Sequence, residues 1–128
     1  MSDKFTVEII APNKTILKAE TSEVTIPSYE GQIGILKDHI PLITFLRPGI
    51  ITLENQEKKY YVEEGTVEFS NNNLLILTST AKDLTKLNQD SIEKLLKSAE
   101  NKFSDNHSSD KEKYISSYKI STLKEINQ

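Results

Sequence analysis

Two clusters of ionisable side chains in this 128-residue chain have types that could do chemistry, Glu63-Glu64 and Asp38-His39. Paired carboxylates serve acid–base catalysis only when they converge on one substrate, and neighbours on a strand point to opposite faces. Glu63 and Glu64 therefore read as solvated charges at a strand end. An aspartate beside a histidine could orient an imidazole, yet no serine nucleophile is specified near it, so Asp38-His39 reads as a turn feature. Cysteine is absent, which removes disulfides and thiolate metal sites, and the two histidines, His39 and His107, stand far apart for a zinc site. No Gly-rich phosphate loop, paired-histidine motif or G-x-S-x-G elbow occurs. The sequence thus assigns no catalytic residue, no cofactor and no metal.

A net charge of −3 argues against nucleic acid as a partner. The charge is uneven: residues 1–84 carry eight basic against twelve acidic side chains, and residues 85–128 eight lysines against seven acids. No apolar run approaches the roughly 18 residues of a membrane helix, and no apolar signal core opens the chain, so a soluble protein made in the cytoplasm is expected.

The elements that would position any site are organised around Val24–Gly49. Three of the four prolines and three of the four glycines fall in this stretch, between the short apolar pieces 24–26, 33–36 and 40–46. Such punctuation suits tight corners joining strands, glycine serving where the backbone takes positive φ or approaches another strand closely. Upstream, Phe5-Thr-Val-Glu-Ile-Ile10 alternates with a period of two, Pro12-Asn13-Lys14 turns the chain, and strands are expected over 15–19 and 22–26. Downstream, 50–53 and 59–62 form a hairpin with Asn55 and Gln56 near its tip. Segments 66–69 and 74–78 flank Asn71-Asn-Asn, where asparagine tolerates the left-handed backbone of a tight turn. Eight or more short strands at near-regular spacing predict a β-sandwich or barrel that ends near Ser79.

Beyond Lys82 the period changes. Leu84, Leu87, Ile92, Leu95, Leu96, Ala99 and Phe103 recur at helical spacing, and Asp90 with Glu93 resembles a capping box. Ser104–Ser109 breaks that helix. Ser109 with Glu112 is a second capping box, and Tyr114, Ile115, Tyr118, Thr122, Leu123 and Ile126 line a second helix. The expected architecture is a β-sandwich over 1–84 and an antiparallel two-helix hairpin over 85–128. Helices of about 15 residues with narrow apolar stripes are marginal alone, so the hairpin needs other surfaces to pack on.

Ile26-Pro27, Glu30-Gly31-x-x-Gly34-Ile35-Leu36, His39-x-Pro41-Leu42 and Leu46-x-Pro48-Gly49 together resemble the signature of the F-type ATP synthase epsilon subunit. Each piece alone is weak; the ordered set is specific, and the likeness extends over the whole chain. It implies a sandwich of about ten strands with a helical tail. It further implies a non-catalytic rotor subunit at the foot of the gamma subunit, touching the polar loops of the c-ring and coupling proton flow to ATP synthesis. The tail would lie folded or extend along gamma towards the alpha/beta catalytic head, where it blocks ATP hydrolysis. The location implied is the cytoplasmic face of the bacterial inner membrane, membrane association arising through the complex.

Residue by residue, Gly31, Gly34, Pro41 and Gly49 match the family's turn-formers. Glu30 lies within the motif, and Gln32 stands where relatives often have an acidic residue facing the c-ring. His39 matches a histidine near the gamma contact, and Arg47 the basic residue before Pro-Gly; structural or solvated roles remain the other reading of each. Lys113, Lys119 and Lys124 match basic residues of the second helix that meet the beta subunit, or form a solvated face. Leu87-Asn-Gln-Asp-Ser-Ile does not fit the ATP-binding motif of some bacterial relatives. The alternative class is a stand-alone β-sandwich binding module whose helical tail recruits an unrelated protein.

Overall fold

The computed structural model describes residues 3–54 and 57–127. Two compact units form, Met1–Leu84 and Thr85–Gln128.

Among the described residues the first unit holds ten strands: β1 (Phe5–Ala11), β2 (Lys14–Thr21), β3 (Glu23–Ser28), β4 (Gly31–Leu36), β5 (Leu42–Leu46), β6 (Gly49–Leu53), β7 (Lys58–Val62), β8 (Gly65–Ser70), β9 (Asn73–Leu77) and β10 (Lys82–Asp83). The period-two pattern of β1 is real: Phe5, Val7, Ile9 and Ala11 are buried, whereas Thr6, Glu8 and Ile10 are half-buried. β1 pairs antiparallel with β2 and parallel with β9.

β3 is where the sheet curls. One edge pairs with β4 from Glu23↔Leu36 to Ser28↔Gly31, while the other is shared, β6 taking Val24 and Thr25 and β5 taking Ser28. Two leaves grow from that division, one through β6, β7 and β10, the other through β5, β8, β9, β1 and β2. Inward side chains of both leaves form one core, including Val7, Ile9, Ile26, Ile35, Leu53, Phe69, Leu74 and Ile76. Burying each such side chain is worth about 1.5–3 kcal/mol, more than a typical surface polar pair, so the core sets the stability of this unit.

The β3–β4 corner carries Gly31 at φ 116°, and the β8–β9 turn has Asn71 at 51° and Asn72 at 58°, as the composition of both corners requires. The β6–β7 hairpin pairs in register from Gly49↔Val62 to Leu53↔Lys58, and Asn55 and Gln56, expected near its tip, lie outside the described residues. Strand structure does not stop near Ser79. β10 adds Lys82↔Tyr61 and Asp83↔Tyr60, a ladder too short for side-chain periodicity to reveal.

A 3-10 turn (Leu84–Lys86) leads into α1 (Gln89–Ser104) and α2 (Asp110–Ile126). The α1 cap differs from expectation. Asn88 accepts a hydrogen bond from the Ser91 amide at 2.8 Å, which leaves Asp90 in the first turn, where the helix dipole favours a negative charge, and Glu93 beyond capping reach. Ser109 and Glu112 do form the reciprocal box: the Glu112 amide donates to Ser109 Oγ at 3.1 Å and the Ser109 amide to Glu112 Oε1 at 3.0 Å.

The hairpin is antiparallel, because its ends meet in opposite order. Lys102 Nζ lies 2.6 Å from Glu112 Oε2 beside the connection, and Gln89 Nε2 donates to Asn127 Oδ1 at 2.6 Å at the far end. Of the predicted stripes, Ile92, Ala99, Thr122 and Leu123 are buried, whereas Phe103 and Tyr114 are exposed, Tyr114 standing edge-on against Tyr118.

The hydrogen bond from Lys102, joined by the Ser109 amide, holds the Glu112 carboxyl at about 2, below its ordinary 4.5. A depressed carboxylate stabilises the fold above its unfolded pKa and loses that contribution as pH falls through the folded one. The stability difference between the wild type and Glu112→Gln should thus be constant above pH 4.5 and close between 4.5 and about 2. Paired thermal melts followed by helical circular dichroism check this, and a constant difference across that window would contradict a stabilising Lys102–Glu112 pair.

Candidate functional site

β5 reads Leu42-Ile-Thr-Phe-Leu46, apolar on both faces. Leu46 and Thr44 point into the core, so Ile43 and Phe45 must face out, and they are 75% and 61% exposed. Strand register extends this outward row. Phe45 stands opposite Thr66, Thr66 opposite Leu77, and Leu77 opposite Ile10; alongside run Ile43, Glu68, Leu75 and Glu8. Leu77 is 45% exposed. The corner leading into β5 adds Leu36 and Ile40, also exposed.

Isolated exposed apolar residues are ordinary, but a contiguous row on one sheet face marks an interaction surface. Here it is interrupted by two carboxylates, Glu8 and Glu68, which would complement a partner carrying basic side chains. This face was not among the residues expected from the sequence. Its signal was there: near-continuous apolar runs at 42–46 and 74–77 belong to strands covered on both sides.

The sequence-predicted residues of the sandwich divide between two places. Glu30, Gln32 and Arg47 gather around the end of β3. Glu30 Oε1 accepts from Thr44 Oγ1 at 3.2 Å, its amide donates to Ser28 Oγ at 3.1 Å, and Gln32 is exposed on β4 opposite Pro27. The Arg47 amide donates to the Pro27 carbonyl at 3.2 Å, and its Nη1 to the Pro48 carbonyl at 3.0 Å. His39 lies at the opposite end of β5. Its Nδ1 meets the Ile40 carbonyl at 2.7 Å and so carries the proton, and its ring stands edge-on to Phe69 with centroids 5.9 Å apart.

In the tail, Lys113 and Lys124 are eleven residues apart, three helical turns, and share a face of α2; Lys119 is rotated roughly 120° from them. Lys124 also borders a groove of about 480 Å³ between the helices, with Glu100, Phe103 and Ile120.

The two ionisable clusters make separate hydrogen bonds. The Asp38 carboxylate accepts from Asn72 Nδ2, not from His39. Glu63 is not merely solvated: its Oε2 accepts from Tyr61 Oη at 2.9 Å. Burial, and then the charge of Glu63, push the Tyr61 phenol well above its ordinary range, so it stays a neutral donor. Among the described residues no group of three His, Cys, Asp or Glu side chains is placed to hold a metal.

Comparison with known proteins decides the family. Residues 4–83 match the beta-sandwich domain of the ATP synthase delta/epsilon chain. The ATP synthase epsilon chain of Pelagibacter ubique is 45% identical, the alignment covering 99% of this chain and 100% of that one. The chain belongs to the ATP synthase epsilon chain family. A chloroplastic member from Pyropia yezoensis is 36% identical over 89% of this chain and 86% of its own.

Two solved structures share the fold. A chain of the Euglena gracilis mitochondrial ATP synthase, in a structure of OSCP, F1 and c-ring, superposes with a TM-score of 0.76 at 19% identity, covering 97% of this chain and 79% of that one. One from the Tetrahymena thermophila mitochondrial ATP synthase central stalk and c-ring gives 0.66 at 16% identity, with 96% of each covered. The family resemblance, the β-sandwich and the two C-terminal helices read from the sequence are all present.

Proposed function

We propose that this epsilon-family chain is a non-catalytic rotor subunit whose sandwich docks on gamma through the outer face of β5, β8, β9 and β1. The exposed row of Ile43, Phe45 and Leu77 supports this reading, because a central-stalk subunit must bury one face against its shaft. The Glu30–Gln32–Arg47 end is the surface we assign to the polar loops of the c-ring, Gln32 supplying hydrogen bonds where relatives often carry an acid. Proton-driven rotation would then pass through both contacts to ATP synthesis.

Residues 1–84 are proposed as the docking domain and 85–128 as a mobile regulator. In the regulator, Lys113 and Lys124, on one face of α2, would meet acidic side chains of the alpha/beta head, and Lys119 a different neighbour. Among the described residues no helix is long and apolar enough to cross a membrane, and association with the cytoplasmic face of the bacterial inner membrane would come through the complex.

The test is ATP hydrolysis by a matched alpha–beta–gamma head with the full chain or with residues 1–84. The expected result is that both bind and the full chain alone slows hydrolysis. Binding by both without slowing keeps the rotor assignment and removes the brake. Failure of both to bind would replace this reading by the stand-alone binding module.

A further inference from the structure

The β4–β5 corner, residues 37–41, carries the exposed Ile40 and leads directly into Ile43 and Phe45. A loop this polar and exposed would ordinarily be mobile, and ordering it on binding would weaken the complex. Here it is tied down from outside. The Asp38 amide donates to Asn72 Oδ1 at 2.7 Å, and Asn72 Nδ2 returns a hydrogen bond to Asp38 Oδ1 at 3.0 Å. The partners are 34 residues apart in sequence, in different corners, and both hold left-handed backbone, φ 66° and 58°.

Each side of the pair is itself anchored. The Asn72 carbonyl accepts from the Thr6 amide at 3.1 Å at the start of β1, and the His39 amide closes the corner onto the Leu36 carbonyl at 3.1 Å. The His39 ring abuts Phe69, a buried residue of β8.

We infer that Asp38 and Asn72 form a latch that preorganises the β4–β5 corner, making both of them positioning residues for gamma docking. The inference rests on the docking reading above. The latch is reciprocal and charge-specific: one side offers a carboxylate and a backbone N–H, the other an amide that accepts from the N–H and donates to the carboxylate. Asn72→Asp places two carboxylates against each other and opens the latch. Adding Asp38→Asn to that change restores it with the roles exchanged. The carboxylate introduced at position 72 still accepts from the backbone amide of position 38, and the side-chain amide introduced at 38 now supplies the second donor. Asn72→Gly removes the side chain yet keeps the left-handed turn.

The experiment measures gamma binding by calorimetry, together with hydrogen exchange at residues 37–41, on the full-length wild type and these three variants. Two lost hydrogen bonds on the exposed surface predict roughly five- to tenfold weaker binding for Asn72→Asp and Asn72→Gly, with faster exchange at the Asp38 amide and near-wild-type affinity for the double exchange. Equal affinity in all four proteins, or weakening that the double exchange does not reverse, overturns the latch. A wild type that fails to bind gamma overturns the docking reading itself, and the inference with it.

Discussion

Gly65→Ala should destabilise the sandwich by about 3 kcal/mol or more, while the same change at Gly31 costs about 1–2 kcal/mol. Both glycines have positive φ, 151° at Gly65 and 116° at Gly31, so both alanines carry backbone strain. The difference lies in space. A Cβ at Gly31 meets nothing within 4 Å, whereas at Gly65 it falls 2.5 Å from the Leu77 carbonyl oxygen and 2.9 Å from Thr78 Cβ. That oxygen belongs to β9, which pairs with β8 at Thr66↔Leu77, so it cannot withdraw without disturbing the ladder. For a domain of this size each kcal/mol moves Tm by about 4–8 °C, and the alanine at Gly65 should melt at least about 12 °C below the wild type. Thermal melts of both variants check the ranking; equal shifts would show that strain rather than collision dominates.

The second large effect is on binding. Ile43→Asp combined with Phe45→Asp should weaken gamma binding by more than about 100-fold, because each removes an exposed apolar anchor of the kind that costs about 2 kcal/mol or more at an interface centre. Ile43 stands opposite Glu68, so the new charge also adds like-charge repulsion on the same face. Since both side chains point out, the core is untouched and Tm should fall by only a few degrees. Lys59→Asp on β7, in the other leaf, should leave binding unchanged. Titration of gamma against the three proteins, with melts as controls, measures this. Undiminished binding by the double variant would place the interface elsewhere.

Much of the fold was legible because its signals are local. The alternation over Phe5–Ile10, the asparagines of the β8–β9 turn and the Ser109/Glu112 box are local signals, and each took the expected form. What escaped is decided by distant neighbours. β10 consists of Lys82 and Asp83 and exists through its ladder to Tyr60 and Tyr61. The α1 cap fell on Asn88 because helix start depends on backbone geometry that two nearby polar residues could each have supplied.

The site was less legible than the fold. His39, Arg47 and Glu30 were named through the motif that contains them, whereas Ile43, Phe45 and Leu77 stood only within apolar strand segments. An apolar strand residue does not announce which side of the sheet another protein will cover. The Asp38–Asn72 pair joins two corners that only the folded sheet brings together.

The most direct measurement is hydroxyl-radical footprinting of the full chain, free and bound to gamma, read residue by residue. Docking through the outer face of β5 predicts strong protection of Ile43, Phe45 and Leu77, with Lys59 and its neighbours on β7 unchanged. Binding that leaves those three side chains as reactive as in the free protein would contradict it.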